Sequence, residues 1–517
     1  MVRPNPQSCF GTDIRYLIFR YKKRRKQKRK GKKVKKTRIT ALLLAALTLV
    51  PFFAACGEEK SKKEEVTTES ALVDDYLDTA LPTETYNGET LGFIGGEGTK
   101  FVPAEEENGQ PVDDALLRRN AKIEERYDVE LKYYPTGWGG DTNDMVNTAV
   151  LANENIYDLA FGNFKTCGTY FVNNGLIMST DNIPYLNLEE KWWSQDCMGQ
   201  LRIHDKTMFL TGMIAFDYTT DGSAIFFNKN IAENKAMDDH FDAVRNYRWT
   251  IDLLNENAKL AAHDDNGDTE MTGADTWGIS FPNDAGYAFY YGVGVRLMEK
   301  DEDDEPYFLS DVTAISTKID KLNGILSNRR YSVNVTNPDN ADCDDLFCKG
   351  KALYEYAQAH SGVDMRTKDF YDFGILPLPT WDENQQAYYS YAYTYSGGGI
   401  YFPITNQKEE LTGVITEALA YQSSVEGGYY YAILEKYIKG RGTYDSDSEE
   451  MIDLVLSTKL YDLGLIFDMG LSDVARDCST GYFGTGNQVN ISTAYAGKAT
   501  AARTALKQVI RAWDRLD

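Results

Sequence analysis

Thr90-Leu-Gly-Phe-Ile-Gly-Gly96, Val129-Glu-Leu-Lys-Tyr-Tyr134 and Tyr157-Asp-Leu-Ala-Phe161 are the segments on which the fold turns. Each is a short run of apolar and aromatic residues bounded by glycine or polar turns, and each reads as a strand. Between the first two, Asp113 or Asp114 is expected to cap a helix through Tyr127, with Leu116, Ile123 and Tyr127 on one face. Between the second and third, Met145 to Ala152 reads as another helix. A β-α-β-α-β order implies parallel strands with helices on both faces, the α/β class. Ligands of such sheets sit at the carboxyl ends of the strands.

Outward from that core the alternation continues. Ala224-Ile-Phe-Phe-Asn228 reads as a strand, and Trp249 to Ala262 as a helix capped by Thr250. Thr313 to Asn328 carries Ile315, Ile319, Leu322 and Leu326 at helical spacing. Gly374-Ile-Leu-Pro-Leu-Pro379 is expected at a sheet edge, because its prolines cannot donate to two neighbours. The last third is mainly helical: 409–423, 428–439, and 448–457 behind a Ser446-x-x-Glu449 capping box. Tyr218–Ser223 and Tyr395–Gly399 are expected to connect two halves of the body.

The chain has 517 residues, enough for roughly two to four domains. Hydrophobic residues make up 42% and aromatics 13%, with 35 tyrosines, which excludes disordered and collagen-like classes for most of the chain. Residues 1–55 hold 16 of the 55 Lys and Arg and one acidic residue, Asp13, so the rest carries 39 basic against 77 acidic side chains. A body with a net charge of −38 repels phosphate backbones, and nucleic acid is excluded as a partner.

Lys22 to Arg38 is a basic cluster, and Ile39 to Ala55 is a 17-residue uncharged run ending in small residues. That is the layout of a secretory signal peptide. Val34-Lys35-Lys36 with this run makes a conventional one alone, so translation is expected to start at Val34. Phe53-Ala54-Ala55-Cys56 resembles the lipobox of bacterial lipoproteins, with Phe53 where Leu is usual. The resemblance implies that Cys56 is the diacylated mature N-terminus, and two acyl chains anchor stably where one is marginal. Residues 56–87 then read as the acylated cysteine and a flexible charged tether, after a 1–55 basic N-terminus and signal peptide. Five cysteines follow (Cys167, Cys197, Cys343, Cys348 and Cys478), without metal-like spacing; Cys343 and Cys348 are near enough in sequence to pair, and buried free thiols are the alternative.

A series of motifs then carries a family resemblance. It runs from Arg119-Asn-Ala-Lys-Ile-Glu-Glu-Arg-Tyr127 through Ile183-Pro-Tyr-Leu-Asn-Leu188, Trp192-Trp193 and Phe226-Phe-Asn-Lys229 to Trp249-Thr-x-Asp252. Asp275-Thr-Trp-Gly278, Gly350-Lys-Ala-Leu353, Phe373-Gly-Ile-Leu-Pro-Leu-Pro379, Asp447-Ser-Glu-Glu-Met451 and Tyr461-Asp-Leu-Gly464 continue it. In order and spacing this resembles the extracellular solute-binding proteins of bacterial ABC importers, the carbohydrate-type family of Gram-positive lipoproteins. The resemblance implies a periplasmic-binding-protein-like fold, two α/β lobes joined by a hinge around a ligand cleft. Lobe 1 is expected from 88–221 plus 355–400, and lobe 2 from 222–354 plus 401–517. It also implies a monomer on the outer face of the cell membrane, held there only by its lipid, that closes on a sugar or oligosaccharide and hands it to an importer permease.

A sugar presents C–H faces and hydroxyl edges, so its pocket needs flat aromatic rings beside polar groups. Phe216, Asp217 and Tyr218 precede the first connection, Tyr393 and Tyr395 lie at the second, and Trp277, Tyr290, Tyr354 and Tyr356 stand near glycines or strand ends. These nine are the expected ligand-binding residues, with ordinary packing as the alternative for each. Asp264, Asn266 and Asp268 stand at positions 1, 3 and 5 of a twelve-residue loop, Glu270 at 7 and Asp275 at 12. That is EF-hand spacing, which predicts a structural calcium, although Thr269 replaces the turn glycine and Asp275 the usual Glu; the alternative is an acidic surface turn. No His-Glu-x-x-His, Gly-x-Ser-x-Gly, dinucleotide or Walker motif occurs among the four histidines and 42 glycines, so no enzyme is expected. The competing functions are a secreted carbohydrate-active hydrolase and the ligand-binding subunit of a sensor.

Overall fold

The computed structural model describes residues 75–516, apart from 283–284, 310, 337, 344, 369–371, 397, 468 and 470–489. Residues 1–72 and 73–517 are separate units, and the second is described here; Cys56, the lipobox and Cys478 lie outside the described residues.

β1 (Glu89–Gly96), β2 (Val129–Thr136), β3 (Leu159–Gly162), β4 (Ile177–Met178) and, far along the chain, β13 (Gly399–Pro403) form a five-stranded sheet in the order β2-β1-β3-β13-β4. β1 runs parallel to both β2 and β3, as the alternation with helices required. β13 enters antiparallel. The second sheet orders β5 (Ser223–Asn228), β6 (Trp277–Phe281), β9 (Ser332–Asn334), β10 (Ala352–Gln358) and β11 (Phe373–Pro377) as β11-β5-β10-β6-β9. β11 lies at the edge, where Pro377 leaves no neighbour short of a donor. A hairpin, β7 (Met298–Lys300) with β8 (Pro306–Phe308), and a two-stranded parallel ribbon, β12 (Ser390–Tyr391) with β14 (Lys459–Leu460), complete the strands described.

This topology corrects three expectations. Residues 355–377 belong to the second sheet and not to the first, because β10 and β11 pair with β5; the first sheet receives only β13. The return connection is therefore 390–398, and the last third of the chain serves both sheets. Helix Glu409–Ser424 packs into the first sheet's core through Leu411, Val414 and Ile415, while Ser446–Ser457 packs on β11. The tether is also shorter than 56–87. Leu77 is fully buried, and the Tyr76 ring stacks on Tyr421 with its edge against Trp192. The thiols of Cys343 and Cys348 are free.

Local signals decide most helix starts. Thr250 caps the helix Ile251–Ala261 by accepting the Leu253 N–H. Helix Pro111–Tyr127 begins with Pro111 in its first turn after Gln110, and Asp114 reaches back to the N–H groups of Asn108 and Gly109 at 2.8 and 3.1 Å instead of capping. Asp445, not Ser446, caps the helix Ser446–Ser457, accepting the Ser448 N–H at 2.7 Å. In the first lobe's core the carboxylate of Glu417, fully buried, accepts from Tyr76 Oη at 2.6 Å and from the indoles of Trp192 and Trp193 at 3.0 and 2.9 Å. The Trp-Trp pair is thus scaffold: a buried charge there survives because several donors surround it.

Candidate functional site

The connections between the sheets meet at one place. Helix Phe216–Thr220 leads into β5, and 390–398 leads from the second sheet back to β13. They touch at Gly398, whose φ of 47° suits glycine and where a Cβ would stand 3.1 Å from Ala215 Cβ and 3.2 Å from the Tyr218 nitrogen. Ser390 Oγ accepts the Ser223 N–H at 2.8 Å and so fastens the second connection to the start of β5. A third segment joins them, because β14 pairs with β12. The carboxyl end of β3 adjoins the return connection, because Lys165, just past Gly162, donates its N–H to Thr394 O at 3.0 Å.

The junction contains buried charge. Lys459, on β14, donates to the Tyr218 carbonyl and lies 4.0 Å over the Tyr218 ring. Asp221 and Lys459 are both 4% exposed. Burial pushes the Asp221 carboxyl up to about 7, against the pull of Lys459 and of hydrogen bonds from the Tyr393 backbone and the Ser396 side chain. Burial likewise brings the Lys459 ammonium down to about 8, with Asp221 opposing. The Asp217 carboxyl is raised well above the ordinary range by burial and by Asp221, while Lys100 pulls the other way. Asp221 Oδ1 is an acceptor with no hydrogen-bond partner among the described residues.

Aromatic rings line the same junction. Tyr291 and Tyr391 stack at 5.5 Å and 6°, Tyr391 meets Tyr393 edge-on at 6.2 Å, and Tyr393 lies 5.9 Å from Tyr395, which is 52% exposed. The series climbs from the interior to solvent along the return connection. Lys100 stands 4.7 Å over Phe216, whose ring is 6.1 Å from Tyr437. Trp138, 61% exposed, ends the turn after β2. An acid, an ammonium and tyrosyl faces side by side can bind hydroxyls and stack on C–H surfaces.

Five of the nine expected ligand residues therefore lie at the junction: Phe216, Asp217, Tyr218, Tyr393 and Tyr395. The other four are placed otherwise. Trp277 opens β6 opposite Ala352, at the strand end away from the connections; it is 3% exposed, and its indole donates to Thr272 O at 2.8 Å. Tyr354 is fully buried, its hydroxyl 2.7 Å from His240 Nε2 and 3.0 Å from Asn257 Nδ2. Tyr356 is buried with its hydroxyl 2.8 Å from Ser223 Oγ, beneath the start of β5. Tyr290 bonds Asn323 at 2.7 Å and borders a slot of about 30 Å³ beside Tyr287 and Tyr291, which is room for about one water. Sequence reasoning missed Asp221 and Lys459. Asp221 stands one turn after Asp217 in the same connection and could have been found by that spacing; Lys459 reaches the site only through the β12–β14 pairing.

The acidic loop has EF-hand features at its start. Asp264 accepts the N–H groups of Gly267 and Thr269 at 2.7 and 2.8 Å, Asn266 that of Asp268 at 2.8 Å, and Asp268 that of Glu270 at 2.8 Å. Thr269 has φ 73°, the left-handed conformation that the sixth position demands. Asp275 fits less well. It is fully buried, and its oxygens take the N–H groups of Asp265 and Thr272 at 2.9 and 2.8 Å. Among the described residues no three His, Cys, Asp or Glu are gathered as a metal would gather them.

No protein-family model matches the chain, and no curated protein matches its sequence. Solved structures do match. The GacH receptor of Streptomyces glaucescens, solved unliganded and with acarbose, matches at TM-score 0.52 and 14% identity over 81% of this chain and 99% of its own. The maltose-binding protein MalE of Listeria monocytogenes, solved with maltose, matches at 0.52 and 13% over 82% and 98%. UgpB of Mycobacterium tuberculosis, solved with glycerophosphocholine, matches at 0.52 and 12% over 82% and 100%. At such identities the likeness is one of fold: this chain has the periplasmic-binding-protein-like fold of ABC transporter solute-binding proteins, two α/β lobes joined by crossing connections.

Proposed function

We propose that the chain is an extracytoplasmic solute-binding protein that captures a carbohydrate, an oligosaccharide in particular, and delivers it as a monomer to the permease of an ABC importer. Diacylation at Cys56 would hold it at the outer face of the membrane; among the described residues no helix is long and apolar enough to cross one. The observation that carries the proposal is the junction itself, where the crossing connections bring a tyrosine series, Asp217, Asp221 and Lys459 to the base of two lobes. Ligand that binds a closed form better than an open one closes the lobes by that difference in affinity. Acarbose and maltose in the matched structures support the carbohydrate class, and glycerophosphocholine in another defines the competing one.

The test is a thermal-shift panel of mono- and oligosaccharides, with glycerophosphocholine alongside. A true ligand at a hundred times its Kd adds about 2.7 kcal/mol to stability. A hydrolase is the second function, because Asp217 and Asp221 bring two carboxyl groups to one connection and a glycosidase works with a pair, one protonated and one ionised. Stoichiometric binding without consumption of the saccharide supports transport, and turnover would replace it. A neighbouring permease gene separates import from sensing. We propose in addition that the loop 264–275 takes a structural calcium through Asp264, Asn266, Asp268, the Glu270 carbonyl and Asp275. Calorimetry in chelated buffer tests this, and absence of heat on adding calcium refutes it.

A further inference from the structure

The seam between the lobes contains a groove of about 400 Å³, lined by Gln200 from the first lobe, by Arg296, Met298 and Lys300 from the second, and by Tyr461 and Asp462 after β14. That is within the ~300–1,000 Å³ range of small-molecule sites. Its charges are unequally satisfied. Lys300 Nζ donates to Gly199 O and Arg202 O at 2.6 and 3.1 Å and pairs with Asp304 at 2.7 Å. Glu299 accepts from Tyr307 Oη at 3.0 Å, and Asp462 caps the helix Leu463–Ile466 through the Leu465 N–H at 3.1 Å.

Arg296 differs. Its guanidinium carbon stands 5.1 Å from the centre of the Tyr291 ring and 5.0 Å from that of Tyr389, two cation–π contacts. One N–H reaches the neighbouring Val295 carbonyl at 2.9 Å, and among the described residues no carboxylate stands within ion-pair distance. Burial draws its pKa down, with Tyr291 and Asp462 only partly opposing. A largely buried cation is costly unless a counter-charge bonds to it, and a planar fork matches carboxylate and phosphate oxygens in pairs. We propose that this groove takes the oxyanion of an acidic saccharide, a uronate carboxylate or a sugar phosphate, on Arg296. Met298 supplies apolar surface for the C–H face of the ring, while Gln200, which accepts the Tyr461 N–H at 2.8 Å, fixes the wall opposite. The inference rests on the solute-binding proposal above and adds the charge of the ligand.

The experiment is isothermal titration of the full-length protein with digalacturonate and trehalose 6-phosphate, each beside its neutral counterpart, galactobiose and trehalose. The expected result is at least tenfold tighter binding of one acidic disaccharide than of its counterpart. Preference for digalacturonate alone identifies a carboxylate, and for trehalose 6-phosphate alone a phosphate. Arg296→Met should abolish the preference while leaving the melting temperature of the unliganded protein near its original value. Arg296→Gln serves if the Met variant does not fold. Equal or tighter binding of the neutral sugars, or a preference that survives loss of Arg296, overturns the inference and leaves the solute-binding proposal standing. If neither these nor the neutral oligosaccharide panel binds, both fall.

Discussion

Asp221→Asn is the most informative substitution at the junction, because its effect has a sign that depends on pH. The Asp221 carboxyl is held at about 7 in the folded protein, against about 3.9 in an unfolded chain. Three pH units correspond to about 4 kcal/mol between the protonated and ionised forms. Since the folded state keeps its proton more tightly, this group's contribution to stability is fully present below about pH 4 and is lost as pH rises towards 7. Between pH 5 and 7.5 the loss is about 2.5 kcal/mol. Asparagine can still accept from the Tyr393 N–H and bond Ser396, but it has no charge to bury. Its Lys459 neighbour then lacks a counter-charge and gives up its proton at lower pH, which favours folding as pH rises and widens the difference. The assay is urea unfolding of wild type and variant at pH 5 and 7.5. Taking the difference of differences cancels the groups the substitution leaves unchanged, so that only Asp221 and its neighbour Lys459 remain. We expect wild type to lose about 2–4 kcal/mol more than the variant across that interval. Parallel pH profiles, within about 0.5 kcal/mol, would show that the Asp221 carboxyl is not desolvated in this way.

Trp277→Ala should cost about 3–5 kcal/mol of stability through the cavity it leaves without changing the Kd of any ligand found; a weaker Kd at unchanged stability would return Trp277 to the site. Tyr395→Ala should weaken ligand binding about tenfold, or about 1.4 kcal/mol, while the melting curve of the unliganded protein barely moves, because over half of that side chain is exposed; unchanged affinity in calorimetry removes it from the site. Thr269→Gly relieves about 1–2 kcal/mol of left-handed strain in a β-branched residue and costs about 0.5–1 kcal/mol in chain entropy, so the calcium-free protein should gain up to about 1 kcal/mol in urea unfolding, and a loss would mean that Thr269 does not hold its positive φ.

The fold was legible where local pattern and long-range pairing agree. The strands around Ile94, Leu131 and Leu159 alternate with helices, and a parallel sheet is the only economical way to bury both faces of those helices' partners. Pro377 announced an edge because a missing N–H excludes every other position. What was not legible is pairing at long range. Nothing local to 352–358 distinguishes a strand beside β5 from one beside β3, so residues 355–377 were expected in the wrong sheet. The site divided the same way. Phe216, Asp217, Tyr218, Tyr393 and Tyr395 could be placed at the junction because connections can be inferred from strand order. Trp277 and Tyr354 lie buried away from it, because an aromatic in a strand carries no local mark of which end of the sheet it will occupy. Lys459 was invisible, since a lysine opening the two-residue strand β14 carries no mark of the tyrosine it will cover.

The distribution of cross-lobe contacts also indicates how the two halves can move. Helix Ile491–Asp514 packs on the helix Thr169–Asn174 of the first lobe and on β8 and the helix Thr313–Leu326 of the second. Its end is fastened by Lys206 Nζ to the carbonyls of Asp514 and Leu516, by the Trp513 indole to Lys206 O, and by Trp513 against Phe209 at 5.4 Å. Lys300 adds its bonds to Gly199 and Arg202 across the same seam. A motion that parted this seam would break several charge-assisted hydrogen bonds at about 1.5–3 kcal/mol each and uncover a buried tryptophan. A swing that leaves the seam together and turns about the junction at Gly398 breaks none of them. The second motion is the cheaper, so a closure of the kind proposed would keep the seam together and turn about the junction. Arg296, on the seam, would then keep its surroundings in both forms, which is what the proposed selection of a ligand by charge before closure requires.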